Sequence, residues 1–287
     1  MTALDAGEMG GTTVPRAGEA GDTTILDAGD TGVLRPLGPT VRNSWRASGT
    51  EVDLCRPTRA ARPLAVPAEP QSLTLDLART ALVVIDMQND FCAPDGWLAS
   101  IGLDVSGAAP LAEAIADMLP PLRAAGVPVI WLNWGSRPDR VNIPPNVLHA
   151  YDLAGTGGGI GSYLPQGTTP VLQEGSWGAA VVEGLRPEHG DIHVTKHRMS
   201  GFFDTPLDSI LRNLRVDTLL FTGVNADQCV LATLSDAACL GYDAVLLEDG
   251  VATTSPDFCL QATLYNVRHC FGFVAKGGDL VAALRSG

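Results

Sequence analysis

The sequence predicts an α/β protein in which a parallel sheet is covered by helices on both faces, and three observations carry that reading. From about residue 75 onward, short apolar runs alternate with stretches that have apolar residues at helical spacing. The short runs are continuously apolar, as in strands buried on both faces. Glycines such as Gly126 and Gly241 close the helical stretches, and strands that alternate with helices build parallel sheets.

Ala81–Ile85 is the first such strand, and it stops at Asp86. Leu111–Ala125 reads as a helix ended by Gly126, and Val127–Leu132 as the next strand. Ile192–Thr195 and Thr218–Phe221 are further strands. Val230–Leu240 is helical up to Gly241, Ala244–Leu247 is a strand, and Phe258–Cys270 is another helix. Phe271–Val274 makes the last strand before a C-terminal helix around Asp279–Leu284. The Pro- and Gly-rich segment from Arg137 to Gly175 is a long insertion, and loops of that length usually act as lids or oligomer contacts.

Residues 1–70 differ from the rest. They are rich in Gly, Ala, Thr, Pro and acid, and Leu-Asp-Ala-Gly occurs at 4–7 and again at 26–29. Such composition buries little apolar surface, so a loosely structured arm is expected there, with one α/β domain over 71–287. Trp45, Leu54 and Arg62-Pro63-Leu64 could anchor the arm across the core or across a neighbouring subunit.

The chain has 287 residues and 45% hydrophobic content, enough to fold without disulfides or structural metals. Nineteen basic residues stand against 32 acidic ones, a net charge of −13. That sign argues against nucleic-acid binding and against anionic membrane surfaces. No apolar run is long enough for a membrane span, and residues 1–11 lack a signal-peptide pattern. The six cysteines show no paired spacing and no Cys-x-x-Cys, which fits buried thiols and one nucleophile in a cytoplasmic protein.

Three reactive residues stand at strand ends. Asp86 follows the strand at 81–85, Lys196 follows the strand at 192–195, and Cys229 opens a helix after the turn that leaves the strand at 218–221. Taken singly, each has an ordinary reading: a cap or ion-pair carboxylate, a solvated lysine, a small buried thiol. Together they would converge on the carboxyl edge of one sheet, where α/β folds build their sites. A thiol at a helix N-terminus beside an ammonium is expected to have a lowered pKa. The carboxylate would serve as general base and acid. Backbone N–H groups of the turn, near Asn225 and Cys229, would face an oxyanion. Cys92, just past Asp86, lacks that turn-to-helix setting, and a packing role is expected for it.

The words around these residues resemble the isochorismatase-like family of cysteine hydrolases. Ala81-Leu-Val-Val-Ile-Asp-Met-Gln-Asn-Asp-Phe91 is similar to its first signature. Lys196-His-Arg-Met-Ser-Gly-Phe-Phe-Asp-Thr-Pro-Leu207 and Gly223-Val-Asn-Ala-Asp-Gln-Cys-Val230 are similar to the lysine segment and the nucleophile turn. The resemblance covers roughly residues 72–280. It implies a three-layer α/β/α, Rossmann-like fold with a six-stranded parallel sheet, and Asp86, Lys196 and Cys229 as catalytic residues. It also implies a cis peptide between Val224 and Asn225, with that turn and Cys229 forming the oxyanion hole, and a homo-oligomer, dimer or tetramer. Asn225 departs from the smaller residue or threonine more usual there.

Within the family, Cys229 argues for C–N hydrolysis through a thioester, since the vinyl-ether-cleaving isochorismatases usually lack the cysteine. The Asp-x-His metal pattern of nicotinamidases is absent, because Leu132-Asn-Trp-Gly-Ser-Arg-Pro-Asp139 contains no histidine. No metal and no cofactor are therefore expected, and His197 reads as a supporting or surface group. The expected partner is a small-molecule amide. The ureidoacrylate and biuret-type amidohydrolases are the nearest resemblance, and streptothricin hydrolase, which opens a lactam amide, belongs to the same group; the expected scissile bond is therefore that of a ureido or carbamoyl group or, equally, of a cyclic amide such as that lactam. Candidate substrate contacts are Asn133, Arg137, Trp177, Met199 and Phe203; Arg137 could hold a carboxylate or make a structural salt bridge. Vinyl-ether hydrolysis and a non-catalytic binding subunit are the competing readings.

Overall fold

A computed structural model describes residues 32–150, 152, 155–164, 167 and 169–286. They fall into two units, one ending at Thr58 and one beginning at Arg59. In the first, β1 (Arg35–Thr40), β2 (Asn43–Ala47) and β3 (Val52–Asp53) form an antiparallel sheet in that order. Leu37 pairs with Trp45 across β1 and β2, and the Arg56 guanidinium lies 5.6 Å from the Trp45 ring centroid. Part of the expected loose arm is thus a small sheet. Residues 1–31, with both Leu-Asp-Ala-Gly copies, lie outside the described residues.

The second unit opens with β4 (Pro63–Val66), β5 (Ala68–Glu69) and β6 (Leu73–Asp76), so regular structure begins before residue 71. β4 pairs with β6 as an antiparallel ribbon. The main sheet contains β7 (Thr80–Ile85), β8 (Val129–Trp134), β9 (Ile192–Lys196), β10 (Thr218–Gly223), β11 (Asp243–Val251) and β12 (Gly272–Ala275). Its order is β5-β12-β11-β10-β7-β8-β9. The last six strands of that order run parallel, as the sequence predicts, and the two-residue β5 adds an antiparallel edge beside β12.

Strand alternation distributes the apolar residues to two cores. Leu82 and Val84 of β7 face one core with Leu111, Ile115 and Leu122 of α3 (Ala108–Ala124), which follows the short helices α1 (Asn89–Cys92) and α2 (Trp97–Ser100). Ala81, Val83 and Ile85 face the other core. There they meet α5 (Leu207–Leu214), which comes after α4 (Pro145–His149), together with α6 (Leu231–Cys239) and α7 (Asp257–Asn266). Leu280 of α8 (Gly277–Ser286) closes the first core, so helices cover both faces. Among the described residues no helix is long and apolar enough to cross a membrane.

The helix boundaries shift near the functional end. A π-helical turn, Ala226–Val230, precedes α6, so Cys229 is the fourth residue of a turn that starts earlier than the sequence reading placed it. The helix expected over 258–270 stops at Asn266 and continues as a second π turn, Val267–Phe271. Where β10 meets β7, Gly223 has φ +113°, and a Cβ there would lie 2.0 Å from the Ile85 carbonyl oxygen. Only glycine lets the two strand ends come this close. The next residue, Val224, then donates its N–H to that carbonyl at 3.0 Å.

Candidate active site

β7, β10 and β9 deliver Asp86, Cys229 and Lys196 to one end of the sheet. β7 ends at Ile85, and Asp86 turns with φ +51°, in the left-handed region where aspartate is tolerated better than most residues. Lys196 is the last residue of β9 itself and is fully buried. Its ammonium lies 2.8 Å from Asp86 Oδ2, donates to Cys229 Sγ at 3.3 Å, and donates to the Arg198 carbonyl at 3.2 Å. The ammonium thus has one ion-pair partner and two hydrogen-bond acceptors. The Trp134 ring completes the enclosure, its centroid 4.5 Å from the ammonium nitrogen.

Neither Asp86 oxygen accepts a well-directed hydrogen bond within the described residues. The 2.8 Å contact with Lys196 is an ion pair, and the carboxylate keeps lone pairs for a proton. Burial raises the Asp86 pKa above the ordinary carboxylate range, against the pull of the Lys196 charge. Burial works against the Lys196 ammonium more than any single neighbour favours it, but the charges of and hydrogen bonds to Asp86 and Cys229 together outweigh it and leave the lysine pKa raised. Burial pushes the Cys229 thiol up to about 12, more than Lys196 offsets. The lowered thiol pKa expected from the helix terminus is therefore corrected. In this enclosed setting desolvation raises the thiol by more than the Lys196 charge lowers it.

The turn after β10 has the cis peptide Val224–Asn225. Both residues are buried, and Asn225 Oδ1 accepts the Thr254 N–H at 3.1 Å while its Nδ2 donates to Gln228 Oε1 at 3.3 Å. The unusual asparagine thus ties the nucleophile turn to the segment after β11.

The five expected substrate contacts separate. Met199 is beside the nucleophile, with Sδ 3.7 Å from Cys229 Sγ. Asn133 is half-buried, and its Oδ1 is a buried acceptor without a partner among the described residues. Arg137 is exposed and grips Asp139 with Nε at 2.9 Å and Nη2 at 2.6 Å, the structural salt bridge. Phe203 and Trp177 are exposed, and Trp177 lines a groove of about 720 Å³ with Cys92, Ala112 and Val181. The lining of that groove contains none of Asp86, Lys196 and Cys229. A smaller hollow of about 450 Å³ is lined by Met199, Asp227, Gln228, Ala232 and Ala150; Cys229 is not in its lining, but Met199, whose sulfur touches the thiol, is. Cys92 is buried in the core, its thiol pushed up to about 12 by burial, consistent with packing.

Trp134 and Gln88 were not singled out from the sequence. The polar Asn133 ended the expected strand at Leu132, whereas β8 runs on to Trp134, which pairs with Lys196 in the β8–β9 register. Gln88 is fully buried; its Oε1 accepts the Trp134 N–H at 2.7 Å, and its Nε2 donates to the carbonyls of Trp134 and Ala179 at 2.8 and 2.7 Å. Replacing Gln88 by alanine leaves these buried groups unpaired and opens a cavity, so a loss of about 3 kcal/mol is expected. Thermal unfolding should read this as a Tm lower by roughly 6–10 °C; an unchanged Tm would show that water replaces the amide without cost. Among the described residues no group of three or more His, Cys, Asp or Glu side chains could hold a metal ion.

A mostly parallel α/β sheet thus gathers a buried carboxylate, ammonium and thiol at one end. Residues 80–278 match the isochorismatase domain, and the chain belongs to the isochorismatase family of hydrolases. It is 38% identical over 229 residues to a ureidoacrylate amidohydrolase RutB of Methylobacterium radiotolerans, covering 76% of this chain and 84% of that one. A RutB of Rhizobium rhizogenes is also 38% identical, over 232 residues, covering 79% of this chain and 92% of that one. Among solved structures, a cysteine hydrolase from Pseudomonas syringae superposes with a TM-score of 0.62 at 27% identity, covering 79% and 99% of the two chains. The N-carbamoylsarcosine amidase of Thermoplasma acidophilum gives 0.53 at 28% identity, covering 69% and 96%.

Proposed function

We propose that this protein is a cysteine-dependent amidohydrolase that cleaves a C–N bond of a ureido or carbamoyl compound. The observation that carries the reading is the Lys196 ammonium, in contact with Asp86 on one side and Cys229 on the other. Relatives named ureidoacrylate amidohydrolase and N-carbamoylsarcosine amidase support the substrate class.

The chemistry follows from the pKa order. Asp86, whose pKa is raised, is a stronger base than an ordinary carboxylate and takes the thiol proton as sulfur attacks the carbonyl carbon. Lys196 then faces a thiolate and stabilises it as it forms. The developing oxyanion is met by N–H groups of the Val224–Asn225 turn and of Cys229. Collapse of the tetrahedral adduct expels ammonia or an amine, which carries away the proton held by Asp86, and leaves an acyl or carbamoyl thioester. Water attacks that thioester, Asp86 accepts its proton, and the thiol is restored. Asn133 Oδ1, an unpartnered acceptor, suits an N–H of the ureido group.

The test is a panel of ureido acids, carbamoyl amines, biuret, nicotinamide and streptothricin-type lactams, with ammonia or amine release and intact protein mass recorded together. Turnover of a ureido or carbamoyl compound with a mass adduct on Cys229 is the expected result. Turnover confined to the lactams would replace the substrate class and keep the nucleophile. Turnover without any adduct, at equal rate in Cys229→Ser, would remove the thioester route.

A further inference from the structure

The hollow that lies against Cys229 across Met199 is lined, among the described residues, by one charged side chain, Asp227. It stands two residues before Cys229 in the π turn, half-buried. The Thr253 hydroxyl donates to its Oδ1, and Thr253 Oγ1 accepts the Ser255 N–H at 3.1 Å, so the carboxylate is held from a second element. Its Oδ2 accepts no hydrogen bond among the described residues. The rest of the hollow is Met199, Gln228 and two alanines.

Among the described residues, the basic side chains of the segments on either side of Met199 are already paired or enclosed. The Arg198 guanidinium holds Asp204 Oδ2 at 2.9 Å and the Asn142 carbonyl at 2.8 Å, and Arg137 holds Asp139. Lys196 is enclosed by Asp86, Cys229 and Trp134. Burial, helped by the charge of Arg198, keeps His197 below its ordinary pKa and so neutral at pH 7. A substrate carboxylate entering over Met199 would meet the Asp227 carboxylate, with no basic side chain among the described residues that line the hollow. A cation would meet an acceptor oxygen already in position.

We propose that Asp227 is a specificity-determining residue that selects substrates carrying a cationic group, a protonated amine or guanidine, beyond the scissile amide. This rests on the proposed amidohydrolase reading for the word substrate, but the electrostatic selection at Cys229 exists with or without turnover. One fixed charge at the mouth of a site changes the local concentration of a charged reagent by about tenfold or more, and salt screens it.

The experiment therefore uses the thiol and needs no substrate. The full-length protein is alkylated with iodoacetate, iodoacetamide and a quaternary-ammonium iodoacetamide. In each case sulfur displaces iodide to form a thioether and the thiol proton passes to solvent. Peptide mapping follows Cys229 apart from the exposed Cys55, Cys239 and Cys270. Rates are divided by those of free cysteine, with iodoacetamide as the uncharged reference. The cation-to-anion rate ratio is expected to be about tenfold higher in wild type than in Asp227→Asn, and lower still in Asp227→Lys. In wild type alone the ratio should fall toward one as salt rises to about 0.5 M, a reading that stands if a variant fails to fold. A ratio indifferent to Asp227→Asn or to salt, or a Cys229 unreactive to all three reagents, overturns the assignment. An inactive substrate panel with an intact charge ratio would count against the amidohydrolase reading alone.

Discussion

Alanine in place of Cys229 is expected to lower kcat by at least about 10⁴-fold on any amide the wild type hydrolyses, because the whole covalent route runs through that sulfur. The other machinery cannot substitute for it. Asp86 and Lys196 would remain paired and buried, but the carboxylate would have only water to activate, with nothing holding that water against the carbonyl. The fold should tolerate the change, since Cys229 is a small side chain in a turn fixed by backbone bonds to Asn225 and Ala252. Thermal unfolding and the far-UV spectrum should accordingly stay close to wild type. Serine is a sharper control: its hydroxyl keeps the volume but is far less acidic, so the rate should again collapse. A variant that still turns over its substrate at more than about a tenth of the wild-type rate would favour direct attack by water, as vinyl-ether hydrolysis requires.

The sequence made the three reactive residues legible because each stands at or shortly after the end of a strand that can be read directly. Asp86 and Cys229 follow β7 and β10, which are neighbours in the sheet, so their meeting needs only the ordinary rule for α/β sites. Lys196 is a different matter. β9 is separated from β7 by β8, and the sequence does not state that order. The side chain has to cross the end of β8 to reach Asp86, and it does so over the Trp134 ring. This accounts for a long side chain at the position and for an aromatic beneath it. It also explains why Trp134 was hidden: one polar residue, Asn133, ended the apolar run early, although the strand continues because its backbone pairs with β9.

The thiol shows a second limit. Local pattern places Cys229 in a helical turn and predicts a lowered pKa, but the outcome depends on how deeply the site is buried. Packing decides that, through Met199 and Trp134, which come from segments distant in sequence. Arg137 went the other way: the sequence left open a substrate role and a salt bridge, and Asp139, two residues on, is close enough to satisfy it locally.

Replacing Lys196 by alanine is the second large effect, expected at about 10²–10³-fold in kcat or more, the scale of one preorganised charge aimed at a forming anion. The pH profile separates this from a merely structural lysine. On the proposed route activity requires the Asp86 carboxylate, so in wild type the acid limb of kcat/KM is expected to follow its ionisation and to lie above the ordinary carboxylate range. The Lys196 charge is the largest influence holding that ionisation down against burial. Without it the Asp86 pKa rises further, and the acid limb must move to higher pH. On the alkaline side, Lys196 and the thiol both titrate above their ordinary values, so no fall is expected through pH 9 in wild type. The variant also loses half of a buried ion pair, normally a cost of about 3–5 kcal/mol. Protonation of Asp86 removes the uncompensated charge, so the cost should be smallest at low pH and grow as pH rises through the raised pKa. A Lys196→Ala protein that is slow, folded and shifted in its acid limb fits a charge acting on Asp86 and Cys229. If the limb stayed where it is in wild type, Lys196 would not be setting the carboxylate's ionisation, and the proton route through Asp86 would have to be abandoned.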